Sequence, residues 1–486
     1  MKRRVKGYVT LYLALTLGVM LSLIFTLIEG VRMQTIRLET EGVMDIGLYS
    51  VFGEYNRQLL EQYDLFFIDT TYGEGSPSIE NIQKHLQYFM NQNFQKEASG
   101  FMGYRNLTDL QCDNVTLEAY RLASDHQGQV LKEQILEYMK GRTGIALAEN
   151  VAYYTNLIKS NKLDSRDINR EWDAAQEEIN HLLEEKRQQL KKEGQVEDRE
   201  EEVFIDNPAD SVRETRGAGI LQMALPDGMA VSAMEIHSEY YYSHRQPLQG
   251  KGEIGEAGSI VEEAAGRLLL QEYLFEKCGY FGQTLEKGVL EYQLEYILKG
   301  ESRDDKNLQK VLEDILHIRQ VANTLYLFSS EDKKSQAGLL AAAITALLFM
   351  PELAEAVKYS LLFAWGYAES VKDIRILLAG NRVPLFKDDS SWNTPLLHLV
   401  NYTAHLDEYT SSGQGLSYRD YLQIFLYMQK EETILERFMD ICEMDIRLTP
   451  GNGYFQMDGC IALVEAKANV SSKYGYSYDI TRSFSY

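Results

Sequence analysis

"MKRRVKGYVTLYLALTLGVMLSLIFTLIEGVR" occupies residues 1–32. Lys2, Arg3, Arg4 and Lys6 make a basic tip, Tyr8 to Ile28 run for 21 residues without a charge, and Glu29 and Arg32 close the stretch. As a helix this run is roughly 30 Å long, the thickness of a hydrocarbon core. Twelve of the 21 residues are Leu, Ile, Val or Phe. At about −0.3 to −0.6 kcal/mol each, they favour insertion by roughly 4–7 kcal/mol.

Three readings compete: a signal peptide that is cut away, a permanent anchor, and a pilin-type stem. A signal peptide has a shorter apolar core followed by a small-x-small cleavage site. Here "LIEGVRMQT" follows instead. A helix buried in a soluble domain normally shows a polar face, and this run has none. The expectation is one transmembrane helix, with Tyr8, Tyr12, Leu17, Phe25 and Ile28 as anchoring residues. Because Lys2, Arg3, Arg4 and Lys6 flank only its N-terminal side, they predict a single-pass protein of the cell membrane. Its N-terminus is then cytoplasmic and its body extracytoplasmic.

Beyond Glu29 the pattern stays helical but turns amphipathic, with Met44, Leu48, Val51, Tyr55 and Leu59 recurring every three or four residues. Gly30, Gly42, Gly47 and Gly53 weaken this helix and leave room for another element to approach closely. One stem is expected from about residue 8 to 62, ending at "YDLFFIDTTYG". Residues 79–95 read as a short helix and 107–122 as a strand. Two heptad-like helices follow. Leu131, Ile135, Tyr138 and Ile145 mark one stripe, and Ile168, Trp172, Ala175, Ile179 and Leu182 the other. They predict an antiparallel helical hairpin, a protruding arm. A polar stretch to about 258 reads as a linker or long loop, and Ser259 with Glu262 offers a capping box for a helical region running to about 382. Ala337 to Met350 is wholly apolar but short, and reads as a buried core helix. "MDIRLT", "CIALVEAKANV" and "YSYDITRSFSY" read as C-terminal strands.

The expected fold class is α+β. An N-terminal transmembrane helix continues as a pilin-like stem, strands from both ends of the body form an antiparallel sheet, and a large helical insertion carries the hairpin. The expected divisions are 1–30, 31–123, 124–205, 206–258, 259–439 and 440–486.

The net charge is −23, and the body is more acidic still once the basic tip is set aside. Such a surface repels phosphate backbones, so nucleic acid is not an expected partner, whereas membrane lipid is. The 32 Tyr against 18 Phe suit half-exposed sheets and wet interfaces. Cys112, Cys278, Cys442 and Cys460 include no Cys-x-x-Cys pair, which argues against a zinc cluster. Cys442 and Cys460 flank the expected hairpin of the last strands. They are either a disulfide in an oxidising compartment or two buried thiols.

No catalytic motif stands out: there is no His-Glu-x-x-His, no Gly-x-Ser-x-Gly and no phosphate loop. His237, Glu239 and His244 lie close in sequence and suit an exposed polar loop better than a metal site. "DSSW" (389–392) and "PGNG" read as turns. No catalytic residue, metal ligand or cofactor is therefore expected, and the chain is not expected to be an enzyme.

The basic tip, Gly7, the uncharged helix and the stem resemble the N-terminus of TadE/TadG-type proteins of the tight-adherence (Flp/Tad) pilus. Further stretches resemble a domain-of-unknown-function group of clostridia-like Firmicutes: "LIEGVRM", "EYNRQLLEQYDLFFIDTTYG", "LEYILKG", "AWGYAESVKDIRILLAG" and "VPLFKDD". The resemblance implies an envelope protein working with pilus or secretion apparatus proteins. It supplies no catalytic residues. Type IV pilins, and several Tad pseudopilins, carry Glu five residues after the cleaved Gly, and here Tyr12 holds that position. The expected function is therefore a structural or assembly component of a pilus-like or secretion apparatus. A cell-surface adhesion or ligand-binding module is the alternative, and a membrane-tethered enzyme the third reading.

Overall fold

Tyr8 to Phe52 form one unbroken helix of 45 residues, α1. The computed structural model describes residues 7–94, 108–140, 146–192, 207–252, 263–285, 288–347, 349–411 and 413–486. The basic tip Lys2, Arg3, Arg4 and Lys6, the residue Ile145 and the Ser259–Glu262 box lie outside them. After α1 come α2 (Arg57–Tyr63), α3 (Ile79–Phe94), α4 (Asp125–Met139), α5 (Ala146–Ser160), α6 (Ile168–Lys192), α7 (Pro208–Thr215) and α8 (Ile220–Ala224). The later helices are α9 (Glu263–Lys277), α10 (Gln293–Lys299), α11 (Asp304–Ser329), α12 (Glu331–Leu347), α13 (Ala354–Leu378), α14 (Tyr418–Met428) and α15 (Glu431–Arg447). The strands are β1 (Ile68–Asp69), β2 (Leu110–Leu122), β3 (Cys460–Ser472) and β4 (Ser477–Ser485). The class is α+β, with a long apolar N-terminal helix and a small antiparallel sheet drawn from both ends of the chain.

The chain divides into two compact units. The first comprises Met1–Tyr138, Glu239–Ile260 and Met439–Tyr486, and the second Met139–Ser238 and Val261–Phe438. In the first unit β3 is the central strand: β2 pairs along one edge, and β1 and then β4 along the other, all antiparallel. Side chains of α1, α3, β2, β3 and β4 make one apolar core. On α1 that core takes Ile36, Thr40, Val43, Met44, Gly47, Leu48, Val51 and Phe52, a stripe with helical spacing. Upstream of Ile36 no described residue of α1 is buried.

The stem is shorter than expected. α1 stops at Phe52, and the chain re-enters a helix at Asn56, whose side-chain oxygen accepts hydrogen bonds from the Gln58 and Leu59 N–H groups. A cap placed there starts a new helix rather than continuing the old one. Of the stem glycines, Gly47 does meet a neighbour: a Cβ added to it would lie 2.9 Å from Leu86 Cδ1 of α3, whereas Gly30 and Gly42 face open space. "MDIRLT" is not a strand. It falls on the last turn of α15 and the turn after it, and the sheet receives only the two later segments. Cys442 and Cys460 are both buried, with no disulfide between them.

The second unit is built around α13, every residue of which from Ser360 to Leu378 is buried. α6, α7, α8, α11 and α12 pack on it. Close approach of α11 is possible because position 366 is glycine, where a Cβ would lie 2.5 Å from Thr324 Oγ1. Three expectations are corrected here. The 206–258 stretch is not simply a linker, since Asn207 caps α7 and α7 packs on α13. The stripe of α6 faces α13 rather than α5, which packs on α14. Trp172, at its centre, is buried with its Nε1 donating to Ser360 Oγ at 3.4 Å. The Ile168–Ile179 part of α6 thus belongs to the unit's core and is not a protruding arm, whereas no described residue of α6 beyond it is buried. Finally, α12 buries only Ala337, Ala341 and Thr345, so the apolar run is a half-exposed helix and not a core helix.

Replacing buried Ile168 and Ile179 by Asp should accordingly destabilise the second unit by several kcal/mol, since each carboxylate would lose water without gaining a partner. Thermal unfolding of the full chain in detergent measures this. Loss of the α6–α13 contact should lower the melting temperature while α1 stays helical.

Candidate functional site

Several places among the described residues concentrate exposed apolar area, buried charge or residues able to bind a metal. The first is α1 itself. Tyr8, Tyr12, Leu17, Phe25 and Ile28 are 55% to 76% exposed. An apolar helix of this length with no face covered suits a membrane anchor or a signal sequence. Its first charges are Glu29 and Arg32, 3.8 Å apart. The Arg32 guanidinium lies over the Tyr474 ring at 3.7 Å and near Tyr476 at 5.4 Å, both in the turn between β3 and β4.

The second place, in the second unit, is a buried ion network. Arg319 of α11 donates from Nε to Asp373 Oδ2 at 2.9 Å and from Nη1 to the Pro384 and Leu385 carbonyls. Asn323 Nδ2 donates to the same Asp373 oxygen at 2.8 Å and to Ser370 Oγ at 2.9 Å. Lys387 pairs with Glu369 and, at 2.6 Å, with Asp373 Oδ1. All four ionic side chains are essentially without solvent. Burial alone would push the Asp373 carboxyl up, but Arg319 and Lys387 more than offset it and hold the group below its ordinary value. Burial likewise lowers Lys372, whose ammonium donates to the Glu408 carbonyl at 3.0 Å. The network has no opening to a ligand, and it acts by locking α11, α13 and the 384–387 segment together.

The third place is a groove beside α12, lined by Lys333, Leu339, Trp365, Trp392, Asn393 and Leu397 among others. Both indoles donate to the Thr394 carbonyl, at 2.7 and 2.8 Å, and the rings meet edge to face at 5.6 Å. Lys333 Nζ stands 5.3 and 5.7 Å from the two ring centres. Of its lining residues Leu339 and Leu397 are strongly exposed, and so, elsewhere in the second unit, are Leu347, Phe349 and Val400. The groove can stack an apolar or planar group and hydrogen-bond its edge. Sequence reading placed Trp392 in a turn; the turn is there, built on Asp388 Oδ1, but the groove became visible only once residues 333–340 and 392–397 were seen to share a face.

The fourth is a set of residues able to approach a metal: His398, His405 and Glu408 bring one ligand atom each within 4.8 Å of one another. The imidazoles stack at 4.0 Å with planes 25° apart. Lone pairs of a ring lie in its plane, so nearly parallel rings do not aim at one ion, and coordination would require a ring to turn. The hydrogen bond from His405 holds the Glu408 carboxyl below its ordinary value. His237, Glu239 and His244 are all exposed, and His244 Nδ1 lies 2.8 Å from Ser243 Oγ.

Buried carboxylates also organise the first unit. Arg245 donates to both oxygens of Glu443 and to Asp458, Arg447 adds a bond to Glu443 at 3.0 Å, and Ser243 donates to Asp440. Tyr63 donates to Asp445 at 2.7 Å.

In the second unit Glu295 is wholly buried, accepting from the Tyr418 hydroxyl at 2.7 Å and the Phe281 N–H at 2.9 Å. Desolvation pushes its carboxyl up to about 7. A carboxyl raised on folding binds its proton more tightly in the native state, so its contribution to stability falls as pH rises from the ordinary value of 4.5 toward 7. The expected loss is on the order of 3 kcal/mol. Glu295→Gln should flatten the melting temperature between pH 4 and pH 8, values that bracket the window from 4.5 to about 7, and raise it at the upper end. An unchanged pH profile would show that Glu295 does not titrate there.

Fold and features together define a class: one apolar N-terminal helix that runs unbroken into an α+β unit, within a chain that also builds a large helical unit. The chain belongs to a family of unknown function, DUF5702, whose model matches residues 195–472. No curated protein and no solved structure matches it. Arg245, Arg319, Glu369, Asp373, Lys387, Glu443 and Asp458 fall within the matched region, and α1 falls before it.

Proposed function

We propose that this chain is a single-pass, membrane-anchored structural or assembly component of a bacterial envelope apparatus, with its N-terminus in the cytoplasm and its body outside. The observation that carries this reading is the change of character along α1. From Tyr8 to Ile28 the helix is apolar and exposed on all sides, whereas from Ile36 it presents one stripe to a folded core. A single rigid helix thus meets two solvents. Removal of a signal sequence would have to cut this helix, which runs without a break from Tyr8 into the body's core. The exposed Leu339 and Leu397 beside the Trp392 groove support a partner protein, because an apolar groove left open to water is a place where a partner can bury surface. The resemblance of the N-terminal stem to TadE/TadG-type proteins makes a pilus-like or secretion apparatus the favoured setting.

A reporter active only outside the cytoplasm, fused after Tyr486, tests topology. Activity in the full chain supports the proposal; an inactive reporter on a well-expressed fusion overturns it. Affinity capture from native membranes tests the setting, with pilus ATPase or platform proteins as the supporting result. The Trp365–Trp392 groove favours the alternative of ligand binding. Selective retention of a glycan, lost on Trp392→Ala, would move the assignment there.

A further inference from the structure

The turn between β3 and β4 sits at the level where α1 changes character. β4 lies along α1 in a clear order. Tyr474 and Tyr476 meet Arg32, Arg482 reaches Glu41 at 3.6 Å and Asp45 at 3.5 Å, and Phe484 packs against Tyr49 and Phe52. The lengths agree, since nine strand residues and the helix from Arg32 to Phe52 each span roughly 30 Å. The turn is therefore the end of the sheet nearest the apolar run. It stands roughly 6 Å, about one helical turn, beyond Ile28.

The turn is braced as well as placed. Ser472 N–H donates to the Tyr476 carbonyl at 2.8 Å and Gly475 N–H to Ser472 O at 2.9 Å, with Gly475 at a φ of 86° that favours glycine. Lys473 Nζ pairs with Asp109 Oδ2 at 3.0 Å, and Thr108 Oγ1 donates to Glu39 of α1 at 2.7 Å. Yet its outward groups stay open to solvent: Tyr474 is 53% exposed, and the Lys473 side chain 78%. Arg32 Nε and Nη2 and Glu29 Oε1 have no hydrogen-bond partner although they are covered.

We infer that the β3–β4 turn is a second membrane contact, in which Lys473, Tyr474 and Tyr476, backed by Arg32, sit in the phospholipid headgroup layer. Tyrosine favours this layer because its ring is apolar and its hydroxyl is wet, and lysine adds attraction for lipid phosphate. The turn would fix the angle at which α1 leaves the bilayer and hold the acidic body clear of it. The inference rests on α1 being a membrane anchor.

The test uses the full chain reconstituted in phosphatidylcholine–phosphatidylglycerol vesicles. An environment-sensitive fluorophore is placed on Tyr474→Cys and, as a control, on Tyr454→Cys. Tyr454 is exposed in the turn whose Asn452 bonds Asn56, beyond the far end of α1. The four native cysteines are buried, which directs labelling to the new position. Nitroxide lipids labelled at the headgroup should quench the 474 probe several-fold more than the 454 probe, and nitroxide deep in the acyl chain should quench neither. Equal, weak quenching at both positions, with the protein still held in the vesicles, would overturn the turn contact and leave the anchor standing. Loss of the labelled protein from the vesicles would mean that the anchor reading itself has failed.

Discussion

Replacing Arg319 by Met should unfold the second unit at temperatures that leave the parent chain intact. The substitution keeps the length and removes the charge. Asp373 and Glu369 would then share Lys387 alone, buried away from solvent, and the Pro384 and Leu385 carbonyls would lose their donor. Removing one partner of a buried ionic set costs about 3–5 kcal/mol, mostly because the charge left behind is stranded. For a unit of this size that is a fall of roughly 10 °C in melting temperature. Adding Asp373→Asn should recover part of the loss, because Lys387 and Glu369 then balance. Circular dichroism melts of the parent, the single and the double variant in detergent give the comparison. A single variant that melts with the parent, or a double variant that is worse than the single, would show that the charges are not coupled as the geometry places them.

Two charges in the apolar run should detach the protein from membranes. Leu17→Asp with Leu21→Asp costs roughly 6–8 kcal/mol of insertion free energy, counting the two lost leucines, which matches or exceeds the gain from the whole run. Both residues are exposed, so the body's core is untouched. The double variant should appear in the soluble fraction after alkaline extraction. Leu38→Asp makes the matched control. Leu38 is just as exposed but lies ten residues past Ile28, and its variant should stay with the membrane. If all three chains partition alike, the apolar run does not anchor the protein.

The contrast between Leu17 and Leu38 also shows what a sequence discloses and what it withholds. The uncharged run needs no partner to be recognised, because its length and composition alone match a bilayer. Strands β2, β3 and β4 were legible for a similar reason: their alternation reflects one sheet face packed on α1 and α3. "MDIRLT" looks like a strand because Met444, Ile446 and Leu448 alternate with polar residues, the pattern of a half-buried strand. Asp445 instead lies buried with the Tyr63 hydroxyl on it, more than 380 positions away in sequence, and Asp440 and Glu443 on the same helix find Ser243 and Arg245. From Phe438 to Ile446 every residue of this helix is buried, so its charged positions there mark distant partners and not a face turned to water.

The same cause hid the network of the second unit. Glu369, Lys372 and Asp373 sit in a stretch that looks amphipathic, but Arg319 and Lys387 make its charged face a core. The error over α12 runs the other way. A run with Thr345 as its one polar residue reads as buried, yet α12 buries only Ala337, Ala341 and Thr345, and Leu339 and Leu347 are left outside. Apolar composition states what a segment prefers, not whether the fold supplies a cover. The uncovered leucines are where a partner would be sought.

A nitroxide scan along α1 in reconstituted vesicles measures the solvent of each position directly. Single cysteines from Val9 to Phe52 would be labelled in turn, and collision with oxygen, which concentrates in lipid, compared with collision with a water-soluble nickel chelate. Positions 9 to 28 should favour oxygen on every face of the helix, with no periodicity. The preference should cross to the nickel chelate between Glu29 and Ile36. Beyond that, positions 36, 40, 43, 44, 47, 48 and 51 should be shielded from both reagents while their neighbours meet water. That pattern is one helix in two solvents. Access of the nickel chelate to one face of residues 9–28, or shielding there with a helical period, would contradict the anchor and place the run against protein instead.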